Sequence, residues 1–132
     1  QCDVDVIGSR SLINELVLVQ IFDSVFALLD VNVLIKINNR KVLTGFAEIS
    51  GFLDKVVDIT VAIDKLDKIG LDAVKAEMLE KGLTDQAVAV IEPILSLSGT
   101  TSEKIATMRT LMNGGSASGI ISETGLKGLD EL

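Results

Sequence analysis

Polar and apolar positions alternate strictly at the start of the chain. Gln1, Asp3 and Asp5 fall on one face, and Cys2, Val4 and Val6 on the other. This is the period-two signature of a strand, here with an unusually acidic polar face. Gly8 and Ser9 end the alternation. Ser11 then stands where it can cap a helix running to about Leu29, although the capping-box position is Asn14 rather than Glu or Gln. Within that helix only Asn14, Glu15, Gln20, Asp23 and Ser24 are polar. At roughly 100° per residue they gather on no single face, so the helix calls for cover on several sides. Asp30 closes it. Val31, Val33, Ile35 and Ile37 return to period two and predict a second strand. Asn38-Asn39 marks a turn or cap, and residues 40–49 a short helix.

Beyond Gly51 the pattern turns helical and stays so. Val56, Ile59, Ile63 and Leu66 recur at helical spacing within residues 54–69, with Lys and Asp between them. Residues 72–81 form a second amphipathic stretch, with Val74, Met78 and Leu79 apolar and Gly82 at the stop position. Thr84 caps a third helix, which Pro93 is expected to kink or interrupt. Thr100 and Glu103 have the spacing of a capping box for a fourth, ended by Gly114-Gly115. In residues 116–132 the glycines Gly119, Gly125 and Gly128 lower helix propensity. The predicted fold class is α+β: a small antiparallel β piece with one long helix over residues 1–50, followed by a predominantly helical module over residues 51–132.

Composition narrows the chemistry. The 132 residues contain no His and one Cys, which excludes a His-dependent nucleophile relay and a His-containing zinc site within this chain. Cys2 cannot form an internal disulfide, and so sparse a cysteine usage is compatible with a reducing, cytoplasmic setting. Twelve Lys and Arg against nineteen Asp and Glu give a net charge of -7, unfavourable for non-specific nucleic-acid binding but compatible with a local basic patch. No apolar run reaches the roughly 18 residues of a membrane span, and nothing at the start reads as a signal peptide. A mean hydropathy of +0.48 implies apolar surface that belongs against other material. With no initial Met and an alternation already running at Gln1, the chain is expected to be a piece of something larger.

Three segments, in order, resemble histidyl-tRNA synthetases. Gln1-Cys2-Asp3-Val4-Asp5-Val6-Ile7-Gly8 resembles the strand that leaves the class II motif 2 loop in that family. Lys36-Ile37-Asn38-Asn39-Arg40-Lys41-Val42-Leu43 resembles the strand and helix start downstream of it. Ala62-Ile63-Asp64-Lys65-Leu66-Asp67-Lys68-Ile69 is similar to a segment in the branch that includes the eukaryotic enzymes. The resemblance implies a segment between motifs 2 and 3 that includes the helical insertion. It also implies an enzyme that activates histidine with ATP and Mg2+, charges tRNA(His), and works as a homodimer without membrane attachment. The motif 2 arginine and the Arg-Gly-Leu-Asp-Tyr-Tyr signature of the family are not among these residues. Gly128-Leu129-Asp130 echoes part of the latter without its Arg or Tyr. The isolated chain is therefore expected to be inactive and to hold no cofactor.

Gln1 and Asp5 match the family's pair of histidine contacts. A carboxylate can accept from an imidazole N–H, and an amide oxygen from an α-ammonium; positions i and i+4 of a strand share a face. The competing reading is a solvated strand face with a frayed first residue. Glu15 can support the same site or simply oppose the helix macrodipole. The resemblance also points to Lys55, Lys65 and Lys68, within a group that includes Lys75 and Lys81, as tRNA contacts. Asp54, Asp58, Asp64, Asp67 and Asp72 are interleaved with them, which equally describes a solvated face of i, i+3 and i, i+4 pairs. Gly114-Gly115-Ser116 reads as a helix terminator rather than a phosphate loop. Two other identities stay open: a non-catalytic, histidine-binding synthetase-like regulatory subunit of histidine biosynthesis, and a freestanding helical interaction module.

Overall fold

The computed structural model describes residues 3–132; Gln1 and Cys2 lie outside the described residues. The chain divides into two compact units, Gln1–Ile37 and Asn38–Leu132. The helix over residues 40–50, grouped with the first piece in the 1–50 division, thus belongs to the second unit.

The first unit is built around α1 (Ile13–Leu28), none of whose residues is buried. Its N-cap position is Leu12 and carries no side-chain hydrogen bond. Ser11 sits one residue earlier and accepts only a long bond from the Ile13 amide, at 3.4 Å. Asp30 ends α1 in the left-handed region, at φ 55°. The amides of Asp30 and Val31 turn back to the carbonyls of Ala27 and Phe26, 3.1 and 3.0 Å away, which satisfies the last carbonyls of the helix.

The β piece is not there. Among the described residues no strand forms, and the single bridge, Asn113 to Ile121, is isolated and lies in the other unit. The α+β expectation is corrected to an all-helical fold. Alternation supplies a strand's two faces but not the neighbour whose amides and carbonyls it must pair with. A pair of short strands alone is marginal in water. The acidic residues take local partners instead: Asp3 accepts from the Val4 amide at 3.0 Å and Asp5 from the Val6 amide at 2.8 Å.

The second unit consists of α2 (Arg40–Ser50), a 3-10 turn (Leu53–Lys55), α3 (Val56–Asp64), α4 (Leu66–Ile69), α5 (Leu71–Glu80), α6 (Asp85–Leu95), α7 (Thr101–Met112) and α8 (Glu123–Asp130). The single amphipathic helix expected over 54–69 is broken into three pieces. Helices α2 and α6 form the centre, each apolar on two sides. Ala47 of α2 and Val88 and Ile91 of α6 pack with Ile59, Val74 and Met78. On the other side Val42, Phe46 and Ile49 of α2 and Val90 and Ile94 of α6 pack with Met112 and Leu129. Leu79, grouped by spacing with the apolar face of α5, is exposed instead. Pro93 does not interrupt α6, which runs through it to Leu95. Pro93 and Ala89, whose carbonyl loses its donor, are both exposed, and water can replace the missing bond in this last turn.

Helices α2 and α8 run antiparallel in backbone contact. A Cβ added to Gly45 would lie 2.6 Å from the Gly125 Cα, and one on Gly128 2.8 Å from the Val42 amide nitrogen. No side chain larger than hydrogen fits at this crossing. The glycines that weaken α8 as an isolated helix are the ones that let it pack.

Candidate functional site

The residues expected to touch histidine belong to the first unit. Asp5 lines a polar hollow of about 160 Å³ together with Ser9, Arg10, Asn14 and Glu15. Asp5 and Glu15, singled out separately in the sequence, are thus brought to one cavity by the turn at Gly8, where φ is 90°. With no strand over residues 3–7, the same-face argument linking Asp5 to Gln1 loses its basis, and Gln1 itself is outside the described residues.

The cations are in the second unit and mostly bridge helices. Lys65 Nζ lies 2.6 Å from a Glu77 carboxylate oxygen, Lys75 Nζ 2.8 Å from Glu92, and Lys81 Nζ 3.3 Å from Asp58. These bonds join separate helices rather than successive turns of one. The hydrogen bond to Glu92 holds the Lys75 ammonium above its ordinary pKa against the opposing effect of desolvation, with smaller contributions from the Glu92 and Asp72 charges. Lys55 is half-buried and Lys68 exposed; neither makes an ion pair among the described residues. Of the three proposed RNA contacts, Lys65 is the one already engaged.

Two polar clasps that the sequence did not reveal flank the glycine crossing. At one end Glu48 of α2 accepts from Ser122 Oγ at 2.5 Å and Thr124 Oγ1 at 2.9 Å. Ser122 is fully buried and also caps α8 by accepting from the Gly125 amide at 2.9 Å. At the other end Glu131 accepts from Asn39 Nδ2 at 2.9 Å and is ion-paired with Lys41. The Lys41 hydrogen bond first, then that of Asn39, holds the Glu131 carboxyl below its ordinary pKa. Ser122 was not singled out from the sequence; a serine directly before Glu123 is the local signal that could have marked the cap, but nothing local points to Glu48. Gly114-Gly115 terminates α7, with Gly114 at φ 86° and the Gly115 amide 3.0 Å from the Thr110 carbonyl.

No family model matches the chain. It is 58% identical over 131 residues to the histidine–tRNA ligase of Bacteroides fragilis strain YCH46, an alignment covering 99% of this chain and 27% of that protein. It is 55% identical over 131 residues to that of Phocaeicola vulgatus, again covering 99% of this chain and 27% of the relative. For the histidine–tRNA ligase of Flavobacterium johnsoniae the identity is 50% over 133 aligned positions, covering 100% and 26%. Along its whole length the chain matches a segment of histidine–tRNA ligases. It spans about 27% of the length of the curated relatives it matches.

Within this ligase segment the echo of a family signature at Gly128-Leu129-Asp130 has a structural explanation. Gly128 packs on α2, Leu129 is in the core, and Asp130 accepts from Arg109 at 2.7 Å. Among the described residues no helix is long and apolar enough to cross a membrane. Nor does any group of three Asp, Glu or Cys converge there to hold a metal.

Proposed function

We propose that this segment serves a ligase that activates histidine with ATP and transfers it to tRNA(His), working as a homodimer in the cytoplasm. In this reading the first unit contributes part of the catalytic core, and the helical unit Asn38–Leu132 is inserted into it. The 58% identity to a histidine–tRNA ligase across 99% of the chain carries the reading. The regulatory-subunit and freestanding-module readings find no support in it. Mg2+, when bound to such an enzyme, neutralises charge on the phosphates. The described residues of this segment do not form a site for it, so no step is assigned to them through the metal.

The segment's own contribution is to recognition. Asp5, in its polar hollow, accepts from the imidazole N–H of the substrate, and Gln1 from its α-ammonium. A carboxylate left without that donor discriminates against neutral rings of similar shape. Lys55 and Lys68 supply contacts to the tRNA backbone, and Lys65 joins them only by releasing Glu77.

Histidine-dependent ATP–pyrophosphate exchange tests the assignment. The complete ligase is expected to support it and the 132-residue chain alone to show none. Asp5→Asn in the complete enzyme should raise the histidine KM by about 10- to 100-fold, the equivalent of roughly 1.5–3 kcal/mol for a charged hydrogen bond, with the ATP KM unchanged. Exchange by the chain alone overturns the expected inactivity, and an unaltered histidine KM overturns the role of Asp5.

A further inference from the structure

The helical unit carries an apolar groove of about 280 Å³ between α2 and α3, walled by Leu43, Thr44, Val56, Val57, Thr60 and Val61. Its two hydroxyls are turned back on their own helices: Thr44 Oγ1 donates to the Arg40 carbonyl at 3.2 Å and Thr60 Oγ1 to that of Val56 at 2.7 Å. What the groove offers is aliphatic surface and one cation. That cation is Arg40, which also lines the groove, is exposed, and makes no ion pair among the described residues. Val57 and Val61, one turn apart on α3, are 70% and 41% exposed. Aliphatic side chains concentrated on one helix face in this way mark a surface that is covered in the working protein.

We propose that this groove receives an amphipathic helix of the same ligase polypeptide, from outside these 132 residues. That helix lays aliphatic side chains between α2 and α3 and sets a carboxylate against Arg40. The inference rests on the ligase reading. The chain covers only 27% of the length of a matched relative, so a covalently linked partner stands at high effective concentration. The chemistry of the groove selects against the other occupants. RNA is gripped by several cations and by aromatic stacking, whereas this groove has one guanidinium and no aromatic ring. A second copy placing the same groove against this one would leave both Arg40 side chains unpaired, because no carboxylate lines it. An apolar helix with one acidic residue satisfies every group present.

The test is the accessibility of position 57. Val57→Cys, placed in the complete ligase and in the 132-residue chain, is labelled with a soluble maleimide and read by peptide mass spectrometry. Ala73→Cys on α5, exposed, serves as the reference site. Labelling at 57 relative to 73 should be at least about tenfold slower in the complete ligase, and Arg40→Glu should recover most of the lost rate. Equal relative rates in the two proteins overturn the proposal. So does slowing that appears only with added tRNA, which makes the occupant RNA, or only with rising protein concentration, which makes it a second copy. Slowing that Arg40→Glu leaves intact overturns the pairing with a carboxylate. Pyrophosphate exchange on the same samples reports the ligase reading separately: exchange with an open position 57 defeats the docking alone, and protection without exchange defeats the ligase reading.

Discussion

Placing a methyl group on Gly45 tests the crossing of α2 and α8 directly. The added carbon would lie 2.6 Å from the Gly125 Cα and 3.0 Å from both Met112 Cε and Ser122 Oγ. Met112 can swing its terminal methyl away, but the Cα of Gly125 is backbone and moves only with the whole of α8. The separation is about 0.8 Å short of ordinary contact at 3.4 Å. Forced overpacking of this kind costs about 1–3 kcal/mol. Moving α8 outward also stretches the Ser122 and Thr124 bonds to Glu48, at 2.5 and 2.9 Å, and each such bond to a charged group contributes about 1.5–3 kcal/mol when intact. Against these stands the better helix propensity of Ala over Gly, about 1 kcal/mol. If the clasp is only partly lost, the net destabilisation of Gly45→Ala is about 2 kcal/mol, or roughly 10 °C in Tm for a domain of this size. Urea unfolding of the 132-residue chain, followed by circular dichroism at 222 nm, measures it. A midpoint unchanged or raised by the propensity gain alone would refute the backbone contact.

Gly51 ends α2 at φ 78°, with nothing within 4 Å of an added Cβ, so Gly51→Ala meets only conformational strain. A midpoint shift equivalent to about 1–2 kcal/mol of lost stability is expected, and no shift would mean that the left-handed turn is not required. The Glu131 carboxyl is held below its ordinary value of 4.5 by Lys41 and Asn39, so its contribution is full above that value and is lost as pH falls through the depressed one. Urea midpoints of the wild-type chain and Glu131→Gln should therefore converge as pH drops below about 4; a gap that stays constant down to pH 2 contradicts the clasp.

What was legible in the sequence was what neighbours within a few residues decide. The Thr100–Glu103 capping box forms, with Glu103 accepting from the Thr100 amide at 2.8 Å. That backbone bond, followed by the Thr100 hydroxyl, also lowers the Glu103 pKa. Thr84 caps α6 by accepting from the Ala87 amide at 3.2 Å. Segments at 1–8, 36–43 and 62–69 carried the family, and the relatives bear it out. What failed depended on distant partners. The alternation at 3–7 and 31–37 was real, but no pattern within a strand encodes its neighbour. Gly125 and Gly128 read as weaknesses because their use lies in Gly45 and Val42, on a helix far away in sequence. Lys65 was paired by spacing with nearby Asp residues, whereas its partner, Glu77, is brought to it by the fold of α3 to α5.

The Asn39–Glu131 hydrogen bond, 2.9 Å long between residues 92 apart in sequence, closes the helical unit on itself. The start of α2 and the end of α8 are thereby held within side-chain reach of each other. A unit whose first and last helices are tied in this way can be re-threaded from new ends with its old ones joined by a short linker.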